Sequence, residues 1–328
     1  MNPKRLPGKT SMRPIPYISI ILLSGIQRGL AEKSLAKILE QNGIENAEVL
    51  IFDLEFDEYP PLAGSDHPVV KIHPVKESLS LGALRAKAVE IARGEVIAFV
   101  EDHANVMPGW LETLIRDFQA GYGGVGGVPE PLNPGIGISD AAALMNFSFF
   151  YPATEPRTDS ILPGHNSAYR RDLLLSFGKL LPTLLTSEAL LDSKIVEKGY
   201  TLLLDPQVRF LHINEETLSA ITASYYYWNQ CFGESRAKIY EWSWQRRMAQ
   251  GLMTPLVPFV RYGKYMLHFW RHDRKNILTL LRYTGLFLYA QSLAAIGLAV
   301  GCIFGARDAE IKFRDYELNT SRKKQPAR

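Results

Sequence analysis

Residues 82–103 read GALRAKAVEIARGEVIAFVEDH, and this stretch decides how the chain folds. Leu81–Ala92 has the spacing of apolar residues that is typical of a helix. Val96–Val100 is a continuous apolar run, which is typical of a strand that is buried on both faces. This strand runs directly into three polar residues at 101–103. A helix that leads into a buried strand predicts one unit of an alternating α/β fold.

The same alternation continues on both sides of this unit. Further strands are predicted over Tyr17–Leu23, Glu48–Phe52, Val69–His73, Tyr200–Leu204 and Gln207–His212, and further helices over Leu30–Gln41, Trp110–Phe118 and Ser187–Lys198. Gly121–Pro134 predicts a strand and a turn, because it contains no GxGxxG placed between a strand and a helix. Leu162–Arg171 predicts a polar loop that leads into a helix. We therefore expect a mostly parallel sheet with helices on both faces over residues 17–216.

Composition fits one large domain with an appendage, since 46% of the 328 residues are hydrophobic. The formal net charge is only +3, and the basic residues cluster at the two ends, which argues against a nucleic-acid partner. We expect a flexible basic arm over residues 1–16 and a polar basic tail over residues 307–328, either solvated or in contact with anionic lipid. The two cysteines form no disulfide framework, and no apolar segment precedes Tyr17, so a reducing setting without a secretory signal is expected.

Residues 217–306 have a different character, with aromatic and basic side chains interleaved. Within them, Thr284–Phe304 is uncharged and has the length that a helix needs to cross a bilayer core. Its glycines are of the kind that lets membrane helices pack closely. This region therefore predicts an α-helical membrane-associated segment; a soluble helical subdomain with one buried helix is the alternative.

Polar residues follow three of the predicted strands. Ser24 and Asp53 end the first two, and Glu101, Asp102 and His103 end the fourth. Parallel sheets bind ligands at the carboxyl ends of their strands, so we expect these residues to meet at one edge. Alternation along an extended chain puts Glu101 and His103 on one face and Asp102 on the other, although a tight turn would break that pattern.

The order of these motifs resembles that of the family-2 glycosyltransferases, which have the GT-A fold, over Tyr17–His212. EVLIFD at 48–53 resembles the strand whose last Asp contacts the nucleoside. Residues 82–103 resemble the Gly-x-x-Arg helix and the strand that carries the acidic metal motif. GHNSAYRR at 164–171 resembles the acceptor-side loop, and SEALLDSKIVEKGY at 187–200 resembles the helix that holds the catalytic base.

Two departures from the family pattern are visible. Glu101-Asp102-His103 stands where the family usually has Asp-x-Asp, and Ser187-Glu188 stands where it usually has Glu-Asp. The first departure resembles a subgroup in which a Glu-Asp-His triplet precedes Pro-Gly-Trp, present here at 108–110. The departures leave open a second reading, in which the chain is a catalytically degenerate membrane-associated protein that binds a glycan or nucleotide.

The resemblance implies an inverting transfer from a nucleotide-diphosphate sugar, with a UDP-sugar expected, to a glycan or lipid-linked acceptor at the cytoplasmic face of the membrane. It implies a divalent metal, Mn²⁺ or Mg²⁺, with His103 as ligand, Asp102 as a rival ligand and His212 near the metal. Glu188 is the expected base, and Asp192, four residues further along the helix, is the alternate base. The remaining assignments are donor-binding Ser24, Asp53, Arg85, Glu101 and Asp102, and acceptor-side Gly164, His165, Asn166 and Arg170.

Overall fold

The computed structural model describes residues 15–319 except 136 and 152. The strands are β1 (Ile18–Ser24), β2 (Ala47–Asp53), β3 (Val70–Pro74), β4 (Val96–Val100), β5 (Ala104–Val106), β6 (Gly124–Pro131), β7 (Arg157–Asp159), β8 (Ser167–Arg170) and β9 (Leu202–His212). The helices are α1 (Arg28–Leu39), α2 (Leu81–Ile91), α3 (Trp110–Gln119), α4 (Gly137–Phe147), α5 (Arg171–Leu175), α6 (Leu181–Leu184), α7 (Glu188–Glu197), α8 (Leu218–Ile239), α9 (Trp244–Leu252), α10 (Val257–His272), α11 (Lys275–Arg282), α12 (Thr284–Phe304) and α13 (Ala309–Asn319).

The strands form one sheet in the order β3-β2-β1-β4-β8-β6-β9-β5, with β7 also paired to β9. β3, β2, β1 and β4 are parallel, as predicted, and the last three of these are buried along their whole length. The second half is mixed rather than parallel, because β8 runs antiparallel to both β4 and β6. β8 starts from a 3₁₀ turn, Gly164–Asn166, at the carboxyl end of β4, so its chain has to run back across the sheet.

Two local predictions were wrong. The two strands expected around Asp205-Pro206 are one continuous strand, β9, of eleven residues. Its pairing with β6 shifts register between Gly126 and Val128, and such an irregularity tolerates a proline that lacks a backbone donor. The second error is at Leu162–Arg171, where the structure has the strand β8 instead of a loop that leads directly into a helix.

Helices cover both faces of the sheet. One apolar cluster packs α2, α6 and α7 against one face, and another packs α1 and α3 against the other. A third cluster joins α4, α8, α10, α11 and α12, with Ile221, Phe269 and Phe287 among its buried members. The helical region after the sheet is therefore packed onto the domain through α4 and α8.

Helices α8 and α12 pack in direct backbone contact. A β-carbon at Gly297 would lie 2.2 Å from the Tyr226 carbonyl oxygen, and one at Gly301 would lie 2.0 Å from the Gln230 carbonyl oxygen. Only glycine fits at such distances, so both positions are fixed by packing. Among the described residues, α12 is the one helix long and apolar enough to cross a membrane, and half of its most apolar window is buried inside the protein.

The expected arm and tail lie partly outside the described residues, namely at 1–14 and 320–328. The described part of the expected polar tail differs from the prediction, because residues 309–319 form helix α13. Its Phe313, Tyr316 and Leu318 are buried in the same apolar cluster as α2 and β1. Apolar residues at 313, 316 and 318 hold this helix on the domain despite its polar composition.

Candidate active site

The polar residues at the strand ends meet at one edge of the sheet. Ser24 lies beside Asp53 in the register of β1 and β2, and Leu22 lies beside Val100 in the register of β1 and β4. The triplet that follows Val100 therefore lies next to Ser24. This convergence follows from the parallel order of the strands.

Glu101, His103 and His212 form a cluster of three metal-ligand types. Oε2 of Glu101 lies 3.5 Å from Nε2 of His103 and 3.3 Å from Nε2 of His212. The ligand atoms of the three residues all lie within 4.8 Å of one another. His212 arrives from the far end of β9, because the pairing of β5 with β9 sets Ala104 opposite it.

The two imidazole rings are oriented by a second set of oxygen atoms. Nδ1 of His103 lies 2.8 Å from Oδ1 of Asp102, and Nδ1 of His212 lies 3.1 Å from Oδ1 of Asn214. A hydrogen bond donated by Nδ1 leaves Nε2 as the ligand atom, which is the usual arrangement around protein metals. Asp102 thus orients His103, and the Nε2 atoms of both rings face Glu101.

The loop that was expected on the acceptor side contacts this cluster. Nδ2 of Asn166 donates to Oε2 of Glu101 at 2.6 Å, and the backbone N–H of Glu101 donates to Oδ1 of Asn166 at 3.0 Å. Gly164 and His165 lie with Asn166 in the 3₁₀ turn, where Gly164 has a φ of +40°. Two reciprocal hydrogen bonds therefore fix both the backbone and the carboxylate of Glu101.

Arg85 pairs with the expected base. Its Nη1 lies 3.0 Å from Oε1 of Glu188 and also donates to the Leu185 carbonyl, while its guanidinium lies 5.9 Å from the centre of the Phe99 ring. Both side chains are buried. Arg85 lines the same narrow cavity as Glu101, Asp102 and His103, so it links Glu188 to the wall of the cavity that borders the histidine cluster.

Asp192, the alternate base, lies in the core and its position contradicts that role. Its side chain is fully buried, and its two oxygens accept hydrogen bonds from the Leu162 backbone at 2.7 Å and the Tyr169 hydroxyl at 2.9 Å. Burial raises the pKa of Asp192 to about 8. Because this carboxyl is buried and both of its oxygens already accept hydrogen bonds, it cannot reach an acceptor hydroxyl. Asp192 nevertheless lies only one helical turn after Glu188.

Arg170, which was expected on the acceptor side, is also elsewhere. It ends β8 opposite Val96, the first residue of β4, and so lies at the other edge of the sheet from Glu101. Its guanidinium donates to the carbonyls of Phe118 and Tyr122. Because β8 runs away from the site, the loop brings Asn166 to Glu101 and takes Arg170 to the opposite edge.

Asp53 is held by a cation that the sequence reasoning missed. Nη1 of Arg28 lies 2.7 Å from Oδ1 of the buried Asp53 and 3.4 Å from the Ser24 hydroxyl, and Nη2 donates to the Pro60 carbonyl at 2.9 Å. Within the described part of the chain, Oδ2 of Asp53 has no hydrogen-bond partner. A buried acceptor of this kind is normally satisfied. The position of Arg28, in the first helical turn after β1, could have indicated that it lies near the strand ends and Asp53.

A larger cavity of about 440 Å³ borders the residues next to His212. Pro131, at the end of β6, pairs with His212, and the ring centre of Phe147 lies 5.1 Å from that of His212. Both residues line the cavity, together with the last turn of α10 and the helix α11. The sequence analysis predicted membrane association for the part of this lining that lies within residues 217–306, and no ligand site.

Comparison with known proteins agrees with the fold. Residues 29–177 match the family model "Glycosyl transferase family 2". An uncharacterized protein of Mycobacterium tuberculosis (strain CDC 1551 / Oshkosh) is 31% identical over 105 residues, which are 32% of this chain and 33% of that protein. The match thus spans about a third of the relative's length.

Two solved glycosyltransferases are similar to this chain at low identity. The mannosyltransferase PcManGT from Pyrobaculum calidifontis, in complex with GDP-Man and Mn²⁺, is similar with a TM-score of 0.50 and 18% identity, over 93% of this chain and 87% of that chain. GalNAc-T7 with UDP, GalNAc and Mn²⁺ is similar with a TM-score of 0.45 and 14% identity, over 68% of this chain and 52% of that chain.

The sheet and its polar edge define a protein of the GT-A class, which confirms the predicted fold. More narrowly, residues 29–177, a little under half of the chain, match the glycosyltransferase family 2 model, in agreement with the resemblance seen in the sequence.

Proposed function

We propose that this protein is an inverting glycosyltransferase that uses a divalent metal and moves a sugar from a nucleotide-diphosphate sugar, with UDP-sugars as first candidates, to a glycan or lipid-linked acceptor. The observation that carries the proposal is the cluster of Glu101, His103 and His212 at the strand ends. It stands beside the buried pair of Arg85 and Glu188.

The donor set fits a divalent metal. One carboxylate and two imidazoles suit Mn²⁺ better than Mg²⁺, which prefers oxygen ligands throughout. When bound, such an ion neutralises the charge that develops on a pyrophosphate leaving group. Glu101, His103 and His212 would hold it, and Asp102 and Asn214 would keep the rings in place. The bound Mn²⁺ in PcManGT supports this choice of ion.

Glu188 is the candidate base. A carboxylate that accepts the proton of the acceptor hydroxyl as the hydroxyl attacks gives direct displacement with inversion. Arg85, at 3.0 Å, holds the carboxylate in one position. Asp53 and Arg28 are the groups that we assign to the nucleoside, because Oδ2 of Asp53 still needs a donor.

We also propose that the protein works at the cytoplasmic face of a membrane, attached through its C-terminal helices. Leu252, Phe259 and Leu278 are each about 70% exposed on α9, α10 and α11, and Trp270 is 60% exposed. Apolar side chains that are exposed together mark an interaction surface, and Trp is common at the interface of a membrane. Flotation with vesicles of anionic and of neutral lipid tests this attachment, and Phe259→Glu with Leu278→Glu should abolish it.

The decisive experiment combines binding with turnover. Calorimetry with UDP- and GDP-sugars should show binding that requires Mn²⁺, and wild type should then hydrolyse or transfer the sugar. Glu188→Gln should bind the donor equally well and lose turnover. If wild type binds the donor with Mn²⁺ but never turns it over, the catalytically degenerate alternative is correct. If no sugar nucleotide binds with Mn²⁺, both readings fail.

A further inference from the structure

The cavity beside His212 has the lining of a ligand site. Phe147 and Tyr283 offer aromatic surfaces, and Asn276 and Arg282 offer polar groups. Ser148 is only 5% exposed and also lines the cavity, and its hydroxyl has no hydrogen-bond partner within the described residues. Unpartnered buried hydroxyls are uncommon in proteins.

The chemistry of the lining selects among ligand classes. Two carboxylates, Asp140 and Asp273, face the cavity with one guanidinium, that of Arg282, so the lining does not favour a polyanion. Aromatic faces cover the C–H face of a sugar ring, while amide, carboxylate and hydroxyl groups pair with its hydroxyls. A volume of about 440 Å³ is in the range of pockets that hold small molecules.

We propose that this cavity binds a sugar ring of the acceptor. The inference rests on the proposed function and specifies its second substrate as a carbohydrate that sits beside His212. The side chains that recognise the acceptor then come from α4, α10 and α11, after the strands that form the donor edge. A neutral saccharide is the expected ligand.

Saccharide binding to the full chain tests this site. The probe is a panel of common neutral mono- and disaccharides, followed by saturation-transfer NMR, with UDP and Mn²⁺ binding measured on the same samples. Asn276→Ala and Ser148→Ala should each weaken saccharide binding about fivefold, the loss expected for one hydrogen bond, and leave UDP binding unchanged. The exposed Asn42→Ala is the matched control and should change neither.

Two results would overturn the acceptor site: no saccharide binding by wild type, or binding that neither variant weakens. Absence of UDP binding by the wild-type protein would instead count against the proposed function. The two failures are therefore measured by different ligands.

Helix α13 contacts the chain on the donor side of the site. The last turn of α13 lies on the residues that follow β1: Oδ1 of Asn319 accepts a hydrogen bond from the Ile26 backbone at 3.2 Å. A β-carbon at Gly25 would lie 2.3 Å from that same oxygen and 2.6 Å from the Leu318 carbonyl. Arg314 adds a hydrogen bond to the Leu79 carbonyl at 2.8 Å.

This helix also closes the cavity that borders the histidine cluster. Glu317 and Leu318 line it opposite Arg85 and the triplet at 101–103, and the remaining volume is about 20 Å³. That volume is little more than one water molecule needs, whereas ligand pockets are of the order of 300–1,000 Å³. A nucleotide diphosphate has no room there while the last turn of α13 stays in place.

The geometry points to α13 as a gate over the donor side, which must move before the nucleotide sugar binds. This inference also rests on the proposed function and describes its regulation. The apparent donor affinity is the affinity of the open form multiplied by the fraction of molecules that are open. Changes that loosen α13 should therefore tighten donor binding, which is the opposite of ordinary damage to a site.

A reversible cross-link gives the sharpest test. Ile26→Cys with Asn319→Cys joins residues already in contact, and the native Cys231 and Cys302 are buried away from the oxidant. The oxidised double variant should lose UDP binding in the presence of Mn²⁺, and reductant should restore it. Arg314→Ala should bind UDP at least about fivefold more tightly than wild type, since the hydrogen bonds of Arg314 to Leu79 and Ser78 in the closed state are gone.

The matched control for Arg314→Ala is Lys312→Ala, which removes a half-exposed cation from the same helix and should leave UDP affinity unchanged. Equal UDP binding by the oxidised and reduced double variant would overturn the gate and leave the proposed function standing. Weaker binding by Arg314→Ala would also overturn it. Absence of UDP binding in wild type and in every reduced variant would overturn the proposed function, and the gate with it.

Discussion

Replacing Asp102 by Asn tests the metal centre without removing a ligand. The Asp102 carboxylate lies 2.8 Å from Nδ1 of His103, and both side chains are 2% exposed. A hydrogen bond to a charged group contributes about 1.5–3 kcal/mol and one between neutral groups about 0.5–1.5 kcal/mol. The difference of about 1–1.5 kcal/mol corresponds to about a tenfold loss of Mn²⁺ affinity, within the range usual for residues that orient metal ligands.

The second imidazole supplies an internal comparison. Asn214 holds His212 through a longer contact between neutral groups, at 3.1 Å. Asn214→Ala should therefore lower Mn²⁺ affinity by about fivefold, and Asp102→Ala should lower it more. Calorimetric titration of Mn²⁺ in the presence of UDP measures all three variants. Glu112→Gln, on the exposed side of α3, is the control for a lost negative charge. Wild-type affinity in Asp102→Asn and Asp102→Ala would refute the reasoning, because the carboxylate would then have no part in orienting His103.

Three further results are expected. Glu188→Gln should lower transfer at least 10²-fold, with donor affinity within twofold of wild type by calorimetry, since general bases contribute 10²–10⁴-fold. Burial raises the pKa of Asp192 to about 8, so the folded protein keeps a proton that the unfolded chain releases above about pH 4. The free energy of unfolding should therefore fall as pH rises from about 4 to 8, by at most about 1.4 kcal/mol per pH unit, and urea titrations of Asp192→Asn should lack this slope. Burial alone would raise the pKa of Glu48, but hydrogen bonds from Lys71 and Arg93 lower it to about 2. The contribution of Glu48 to stability is therefore present above about pH 4.5 and lost towards pH 2. At pH 7, Glu48→Gln should lower the free energy of unfolding by about 1–2 kcal/mol, a value discounted for solvent screening because both partners are 44% exposed.

The first four strands could be predicted from the sequence to within one or two residues. β1, β2 and β4 each contain a continuous apolar run, and a strand buried on both faces needs such a run. β8 could not be predicted, because it has only four residues and ends in an arginine whose charge is satisfied by two distant carbonyls. β9 was divided at Pro206 because the sequence does not reveal a register shift in the partner strand.

The candidate site divides in the same way. Strand ends of a parallel sheet converge whatever their side chains are, so the position of Asp53 beside Ser24 followed from topology. The alternation expected along residues 101–103 does not apply, because the Ala104 backbone donates to the Glu101 carbonyl at 3.1 Å and closes a tight turn. This turn brings Glu101 and His103 together and leaves Asp102 in contact with His103. The order of the motifs, however, does not reveal that β8 runs antiparallel to β4. For this reason the prediction placed Arg170 at the wrong end of the strands. The core position of Asp192 depends on Leu162 and Tyr169, whose approach no local pattern indicates.

The glycine contacts between α8 and α12 limit how the protein can sit in a lipid bilayer. With backbone against backbone at Gly297 and Gly301, the two helices form one rigid pair, and a bilayer that took in α12 would also take in the partner helix. That partner carries Glu234, Arg236 and Lys238 in its last turns, and the Glu234 carboxylate lies beside Gly305, just after the end of α12. We therefore expect α8 and α12 to enter a bilayer together or not at all, so that lipid-phase labels attached to the two helices would report the same degree of lipid exposure.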